Sequence, residues 1–326
     1  MKKNYFMLAA ATMMFAACAE TDLVNEINEA EAQYAIGFET FSNKVTRALS
    51  STDAVKLEKY HTSFGVWAYK TVDTDKEVMG NYKVQTTDDG ATWVYAGVGG
   101  QTLKYWDKQA SGYDFYAYAP YAEAGVTINN GVISITDGEY AARENLQSTW
   151  STELNKSDFS TDTDWMIADP IEDRTDYVNT VDEVFKHTMS KLIVILNSTD
   201  VATGTEVEVT NVSVNNVHGK GEFNGTKWTA SDTGKSIEGK VGKFESTANY
   251  YSMEYLLIPS DDDPTFSITY KVNGDTCTVT ETAIKDITGF VGNTCYTLTA
   301  TIGLQPIKFI ATAVDFTQAG GSVSIQ

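Results

Sequence analysis

From about residue 55 onward, apolar and polar side chains alternate in short runs. Examples are FGVWAYK (64–70), TWVYAGV (92–98), YDFYAYAP (113–120), KLIVILN (191–197), EVEVTNVSVNNV (206–217), MEYLLIP (253–259) and TFSITYKV (265–272). A side-chain period of two is that of a strand with one buried and one solvated face. The enrichment in Val, Thr, Tyr and Phe suits a pleated surface. Asn-Gly pairs at 130–131, 224–225 and 273–274 predict tight hairpins, because both residues tolerate positive φ. The clearest is TFSITYKV-NG-DTCTVTET. Long amphipathic runs are scarce, and 139–160 predicts only a short helix within a long loop. The fold class is therefore all-β, with two packed sheets burying the alternating strands of each domain. The acidic stretch DPIEDRTDYVNTVDE (169–183) is the candidate linker, dividing an N-terminal sandwich, 48–183, from a C-terminal one, 184–326. In HTMSKLIVIL (187–196), Met189, Leu192, Val194 and Leu196 cannot share one face, which predicts a bulge or burial on both faces near Lys191.

The N-terminus follows another pattern. Lys2 and Lys3 precede YFMLAAATMMFAA (5–17), an apolar run of 13 residues. A span needs about 20 apolar residues, so residues 1–17 read as a secretory signal. The run ends at Ala16, Ala17 and Cys18, which resembles a bacterial lipobox, whose cysteine is acylated and becomes the mature N-terminus. Phe15 stands where Leu is usual. A plain signal peptide with an incidental cysteine is the alternative reading.

Charge and chemistry narrow the function. With 44 acidic against 24 basic residues, the formal net charge is −20. A nucleic-acid partner is excluded, since phosphate binding needs clustered Lys and Arg. Apart from Cys18, the cysteines are Cys277 and Cys295. Strand parity puts Cys277 on the face of Val279 and Cys295 on that of Thr297 and Thr299, which disfavours a disulfide. His61, His187 and His218 lack metal-ligand spacing, and no nucleophile elbow, P-loop or dinucleotide fingerprint occurs. His187 reads as a sheet residue. The clusters DTDKE (73–77) and TDTDW (161–165) lack the glycine and closing glutamate of a calcium loop and read as exposed loops; Asp261–Asp263 reads as a turn. No metal, cofactor or enzymatic activity is expected. The tryptophans (67, 93, 106, 150, 165, 228) admit two readings, buried core or an exposed sugar-stacking platform.

One family shares these features in order. The lipobox, an N-terminal strand ending in Val-Thr-Arg-Ala (45–48), KYWDKQASGYDFYAYAP (104–120), DWMIADP (164–170), VFKHTMSKLIVIL (184–196), EYLLIPS (254–260) and YTLTATIGLQPIKFIATAVDF (296–316) together resemble the fimbrillin-like family, subunits of type V pili on Gram-negative anaerobes. Phe316 stands where many relatives have Trp. The resemblance implies two transthyretin-like β-sandwich domains and a precursor anchored in the outer membrane by lipid on Cys18. It further implies an Arg-specific protease cutting between Arg47 and Ala48, which would make 18–47 a propeptide. The first strand, with Tyr34, Ile36 and Phe38 on one face, would leave, and a strand from another fimbrial subunit would fill the slot. The matching donor strand is GGSVSIQ (320–326), with Val323 and Ile325 on one face and Gly320-Gly321 as a hinge. The competing reading is a monomeric glycan-binding surface lipoprotein. Tryptophan burial distinguishes the two.

Overall fold

The structure, a computed structural model, describes residues 35–42, 57, 61–72, 75–88, 90–139, 164–177, 180–198, 204–239, 241–245, 249–284, 287–303 and 308–315. Their regular structure is strand, apart from 3₁₀ turns, and forms four sheets. Sheet 1 contains β1 (Gly37–Ser42), β2 (Ser63–Thr71), β3 (Asp75–Gln85), β4 (Val94–Tyr95), β5 (Gly112–Ala119), β8 (Met166–Ala168), β9 (Ile171–Arg174) and β10 (Thr180–His187). Its order is β1-β10-β8-β5-β2-β3-β4, with β9 also on β5. Sheet 2 contains β6 (Val126–Asn129), β7 (Val132–Glu139), β13 (Lys220–Phe223) and β14 (Trp228–Ala230), ordered β14-β13-β7-β6. Sheet 3 contains β11 (Ser190–Asn197), β17 (Asn249–Leu257), β20 (Thr294–Thr301) and β21 (Lys308–Asp315), ordered β17-β11-β20-β21. Sheet 4 contains β12 (Glu206–Val217), β15 (Lys235–Glu238), β16 (Gly242–Glu245), β18 (Thr265–Val272) and β19 (Asp275–Ala283). Its order is β15-β12-β18-β19, with β16 also on β12.

Alternation builds the layers. In β18 every second residue is buried, and Phe266, Ile268 and Tyr270 meet Leu192, Val194 and Leu196 of β11 in the core between sheets 3 and 4. β12 keeps Val207, Val209, Val212 and Val214 in that core because a bulge after Val209 resets its parity. Met189 lies instead in the core between sheets 1 and 2, with Trp67, Tyr118 and Ile135. The expected burial on both faces is present, and the bulge of β11 against β17 falls at Val194/Ile195 rather than at Lys191. Parity also separates the cysteines: Cys277 packs on the core between sheets 3 and 4, whereas Cys295 is buried outside it, and both are free.

Turn chemistry closes two hairpins as expected. Asn130 and Gly131 (φ 48° and 75°) join β6 to β7, and Asn273 and Gly274 (φ 51° and 90°) join β18 to β19. At the third pair only Gly225 has positive φ, 94°, and Asn224 Oδ1 instead accepts the N–H groups of Thr226 and Lys227.

Two expectations change. The stretch 169–183 is not a linker but contains β9 and the start of β10. Part of it is tied into the sheet by hydrogen bonds: Asp173 N–H donates to Asp114, and Arg174 donates to Asp176 and to the Thr180 carbonyl. The chain then passes to sheet 3 through Thr188 and Met189, so the division placed between 183 and 184 falls inside β10. The two halves also share sheet 2, where β13 pairs with β7 at Phe223↔Ile135. From residue 140 onward, the segment expected to hold a short helix lies outside the described residues.

Candidate functional site: the β1 slot

Sheet 1 ends on β1, which pairs with β10 in parallel, from Gly37↔Thr180 to Ser42↔Phe185. Strict alternation turns Ile36, Phe38 and Thr40 inward, and all three are buried. The Phe38 ring meets Phe64, Tyr95 and Phe115 edge-on, with centroids 5.6, 6.2 and 6.3 Å away. Ahead of the ladder, the strand is pinned by loop contacts. Ile36 N–H donates to the Lys104 carbonyl at 2.8 Å, the Tyr95 hydroxyl donates to the Ile36 carbonyl at 2.7 Å, and Ala35 bridges Tyr105. Burial pushes the Tyr95 phenol well above its ordinary range, so it remains a donor.

Opposite this strand, β10 presents Val181, Glu183 and Phe185 to the interior. Glu183 lies beside Thr40 in the register and is fully buried. Neither its carboxyl oxygens nor the Thr40 hydroxyl has a hydrogen-bond partner. Burial pushes the Glu183 carboxyl up to about 8, against the downward pull of Arg174 and with Asp182 adding to the rise. Sequence reasoning missed this pair. Its signal was legible: Glu183 has the parity of Val181 and Phe185, an acid on an apolar face.

The histidines serve the framework. His187 ends β10, buried against the Asp164 carboxylate at 2.9 Å, and His61 contacts the Asp164 carbonyl at 2.6 Å. His218 joins Asp232 and Asp262, so Asp262 holds a turn as well as forming one. Trp67, Trp93, Trp106 and Trp228 are buried, and Trp165 packs half-buried beside Tyr118. Among the described residues, no exposed tryptophan pair offers a sugar-stacking surface.

Phe38 thus lies in β1 and Ile36 just ahead of it, both buried. Tyr34, the cleavage pair Arg47 and Ala48, the lipidation residue Cys18, and Val323 and Ile325 of the donor segment lie outside the described residues. So do residues 73–74 and 161–163 of the two acidic clusters.

A family model described as fimbrillin-like matches residues 46–315. The chain belongs to the fimbrillin-like family. Fimbrium subunit Fim1C of Phocaeicola vulgatus is 24% identical to this fimbrillin-like chain over 217 residues, 64% of this chain and 55% of the relative. The match thus spans about half the length of that relative. The solved structure of a fimbrial protein from Bacteroides vulgatus superposes with a TM-score of 0.57 at 17% identity, covering 87% of this chain and 100% of that one. A candidate cell adhesion protein from Bacteroides ovatus gives 0.52 at 16% identity, covering 88% and 99%. At such identities the likeness concerns the fold, a β-sandwich architecture that the fimbrillin-like chain shares with both.

Proposed function

We propose that this chain is a structural subunit of cell-surface fimbriae, exported as a lipoprotein through Cys18 and assembled by strand replacement. An Arg-specific protease cuts between Arg47 and Ala48, the segment carrying β1 departs, and the vacated slot takes the C-terminal strand of another subunit. In this chain the corresponding donor is 320–326, whose Val323 and Ile325 match the pockets of Ile36 and Phe38. The observation that carries the reading is the construction of the sheet edge. Among the described residues β1 is held by a single ladder, to β10, yet Ile36 and Phe38 fill an apolar, largely aromatic floor made by later parts of the chain. Losing that strand opens an apolar groove beside an unpaired edge, and edges of this kind capture strands. Refilling the groove regains about 1.5–3 kcal/mol for each large apolar side chain. Arg47 follows the last residue of β1, Ser42, by five positions, so a cut there severs β1 from the rest of the chain. Burial of four tryptophans supports the structural reading over the glycan-binding one.

The test is Arg47→Ala in cells. The expected result is unpolymerised, lipidated precursor, with 320–326 deletion giving cleaved subunits that do not extend. SDS-resistant ladders of normal length from Arg47→Ala would end the processing reading and favour the monomeric glycan-binding lipoprotein.

A further inference from the structure

The floor of the β1 slot holds a carboxyl that its resting occupant does not use. Glu183 is fully buried with both oxygens unbonded, and its neighbour on β1 is the equally unbonded hydroxyl of Thr40. The cation acting on Glu183 is committed elsewhere. Arg174 donates to Asp176 at 2.7 Å and to the Thr180 carbonyl at 2.6 Å, and its guanidinium lies 5.3 Å over the Trp106 ring. One position earlier, exposed Glu39 of β1 lies beside exposed Asp182 of β10. Paired strands run about 4.8 Å apart. The resting strand therefore sets an acid beside one acid and a single neutral hydroxyl beside the other. Folded proteins rarely leave buried polar groups unbonded, and each such group calls for an explanation.

The molecule contains the arrangement that would complete this one. Glu254 of β17 is as buried as Glu183, and the Lys191 ammonium of the adjacent strand β11 lies against it.

We propose that Asp182 and Glu183 make the vacated slot select a basic strand, one that sets a lysine or arginine where Thr40 lies and comes from a subunit other than a copy of this chain. The inference rests on strand uptake as read above. Segment 320–326, GGSVSIQ, has no basic residue, so a copy of this chain cannot supply the cation from that strand. β1 then acts as a plug matched in apolar shape and mismatched in charge. Replacement by a basic strand gains an ion pair that the plug never made, and this biases exchange forward.

The experiment uses the full chain, cut after Arg47 with an Arg-specific protease, and fluorescent peptides competing for the slot. These are the β1 segment 34–42, the same peptide with Thr40→Lys, an equal-length apolar control with Thr40→Met, and 320–326. The Thr40→Lys peptide should half-saturate at a concentration about tenfold lower than the others, equivalent to about 1.4 kcal/mol. A chain carrying Glu183→Gln should lose that advantage while binding the unaltered β1 peptide at least as well, which also shows that the variant is folded. Equal uptake of all the peptides, an advantage surviving Glu183→Gln, or 320–326 matching the Thr40→Lys peptide would overturn the selection while leaving strand uptake intact. Entry of none of them into a slot that β1 has left would end strand uptake and this inference together.

Discussion

Glu183 and Glu254 are the same residue type, each buried in a strand, and the two sheets treat them differently. In sheet 3, Glu254 of β17 has the ammonium of Lys191 on the neighbouring strand. In sheet 1, Glu183 of β10 has the neutral Thr40 opposite it on β1, and no hydrogen bond. The pair lies on the face of β17 that Leu256 shares, and the core on the opposite face, between sheets 3 and 4, is apolar, built from β11, β12, β18 and β20, with β11 and β12 tied on both sides. Among the described residues, β1 is tied to one strand. An ion pair completed within the chain suits a surface that stays closed, and a carboxyl without a partner is what the proposed change of occupant at the slot would leave.

Removing one partner of a buried pair leaves the other charge uncompensated, which costs about 3–5 kcal/mol. Lys191→Ala should therefore destabilise the uncleaved chain by about 3 kcal/mol, the lower end of that range, because the lysine reaches partly to solvent. Glu183→Gln removes no hydrogen bond and should change stability by less than about 1 kcal/mol, or raise it. Urea denaturation of both variants decides the matter. Equal losses would show that Glu183 is held by something in its own slot, and the contrast would collapse.

The apolar half of the slot gives the next effect. Phe38→Ala empties a site ringed by Phe64, Tyr95 and Phe115, and such truncations cost about 3 kcal/mol or more in a rigid core. An edge strand can relax or lift, so the change should appear chiefly as faster hydrogen exchange in β1, with sheets 3 and 4 unaffected. Glu39→Ala, on the exposed face beside Asp182, should stay within about 0.5 kcal/mol and tend to protect β1. Uniform protection loss across all four sheets in Phe38→Ala would mean that β1 is an integral strand rather than a separable plug.

Legibility in the sequence followed how local each instruction was. The parity of 265–272 and the Asn-Gly pair after it placed β18, its buried face and its turn without reference to the rest of the chain. β3 was not seen: along 75–85 only Met79 and Val84 are buried, and Asn81 at φ 48° interrupts the pattern. TWVYAGV read as a full strand, yet only Val94 and Tyr95 pair, because Gly97, Gly99 and Gly100 turn the chain away with positive φ. The acidic stretch around Ile171–Arg174 looked like a linker because its tie to the sheet comes from far along the chain, where Asp114 accepts the Asp173 N–H. The pairing of β7 with β13 across the two halves has no local signature. At the slot, the alternation of Ile36 and Phe38 was readable, and so in principle was the misplaced Glu183. Its neighbour could not be read, because the parallel register of β1 on β10 is a property of the folded sheet.

The carboxyl in the slot also predicts a pH response. Burial raises the Glu183 carboxyl from its ordinary 4.5 to about 8, so between those values the native chain holds a proton that the unfolded chain has released. Stability should fall as pH rises through this window. Thr40 lies opposite it on β1, and of the charged groups that act on it Arg174 opposes the rise and Asp182, on the other face, adds to it. The loss is limited by the free energy of lifting β1, which would hydrate the carboxylate locally. Protection of the β1 amides against exchange, corrected for intrinsic rates, should therefore weaken from pH 5 to pH 8 in the wild type and stay level in Glu183→Gln. No such difference between the two chains would show that the carboxyl is not buried against β1.

A separate effect belongs to the joint between the two regions. β12 runs in sheet 4 and β13 in sheet 2, and His218 between them sits under Asp232 at 3.1 Å and Asp262 at 2.6 Å. Burial lowers its pKa, but hydrogen bonds to the two aspartates outweigh that, and the net shift is upward from 6.5. A raised histidine contributes stability that is complete below its unfolded value and is lost as pH rises through the folded one. His218→Gln should cost about 1–2 kcal/mol at pH 5.5 and much less at pH 9, where the wild type has already given up the charged bonds. An NMR titration of the His218 ring would show the raised midpoint directly. Because the joint is separate from the slot, the variant should leave the pH dependence of β1 exchange unchanged. If β1 protection weakened along with it, the slot and the joint would respond as one unit, and the division between a closed C-terminal sandwich and an exchangeable edge would have to be redrawn through sheet 2.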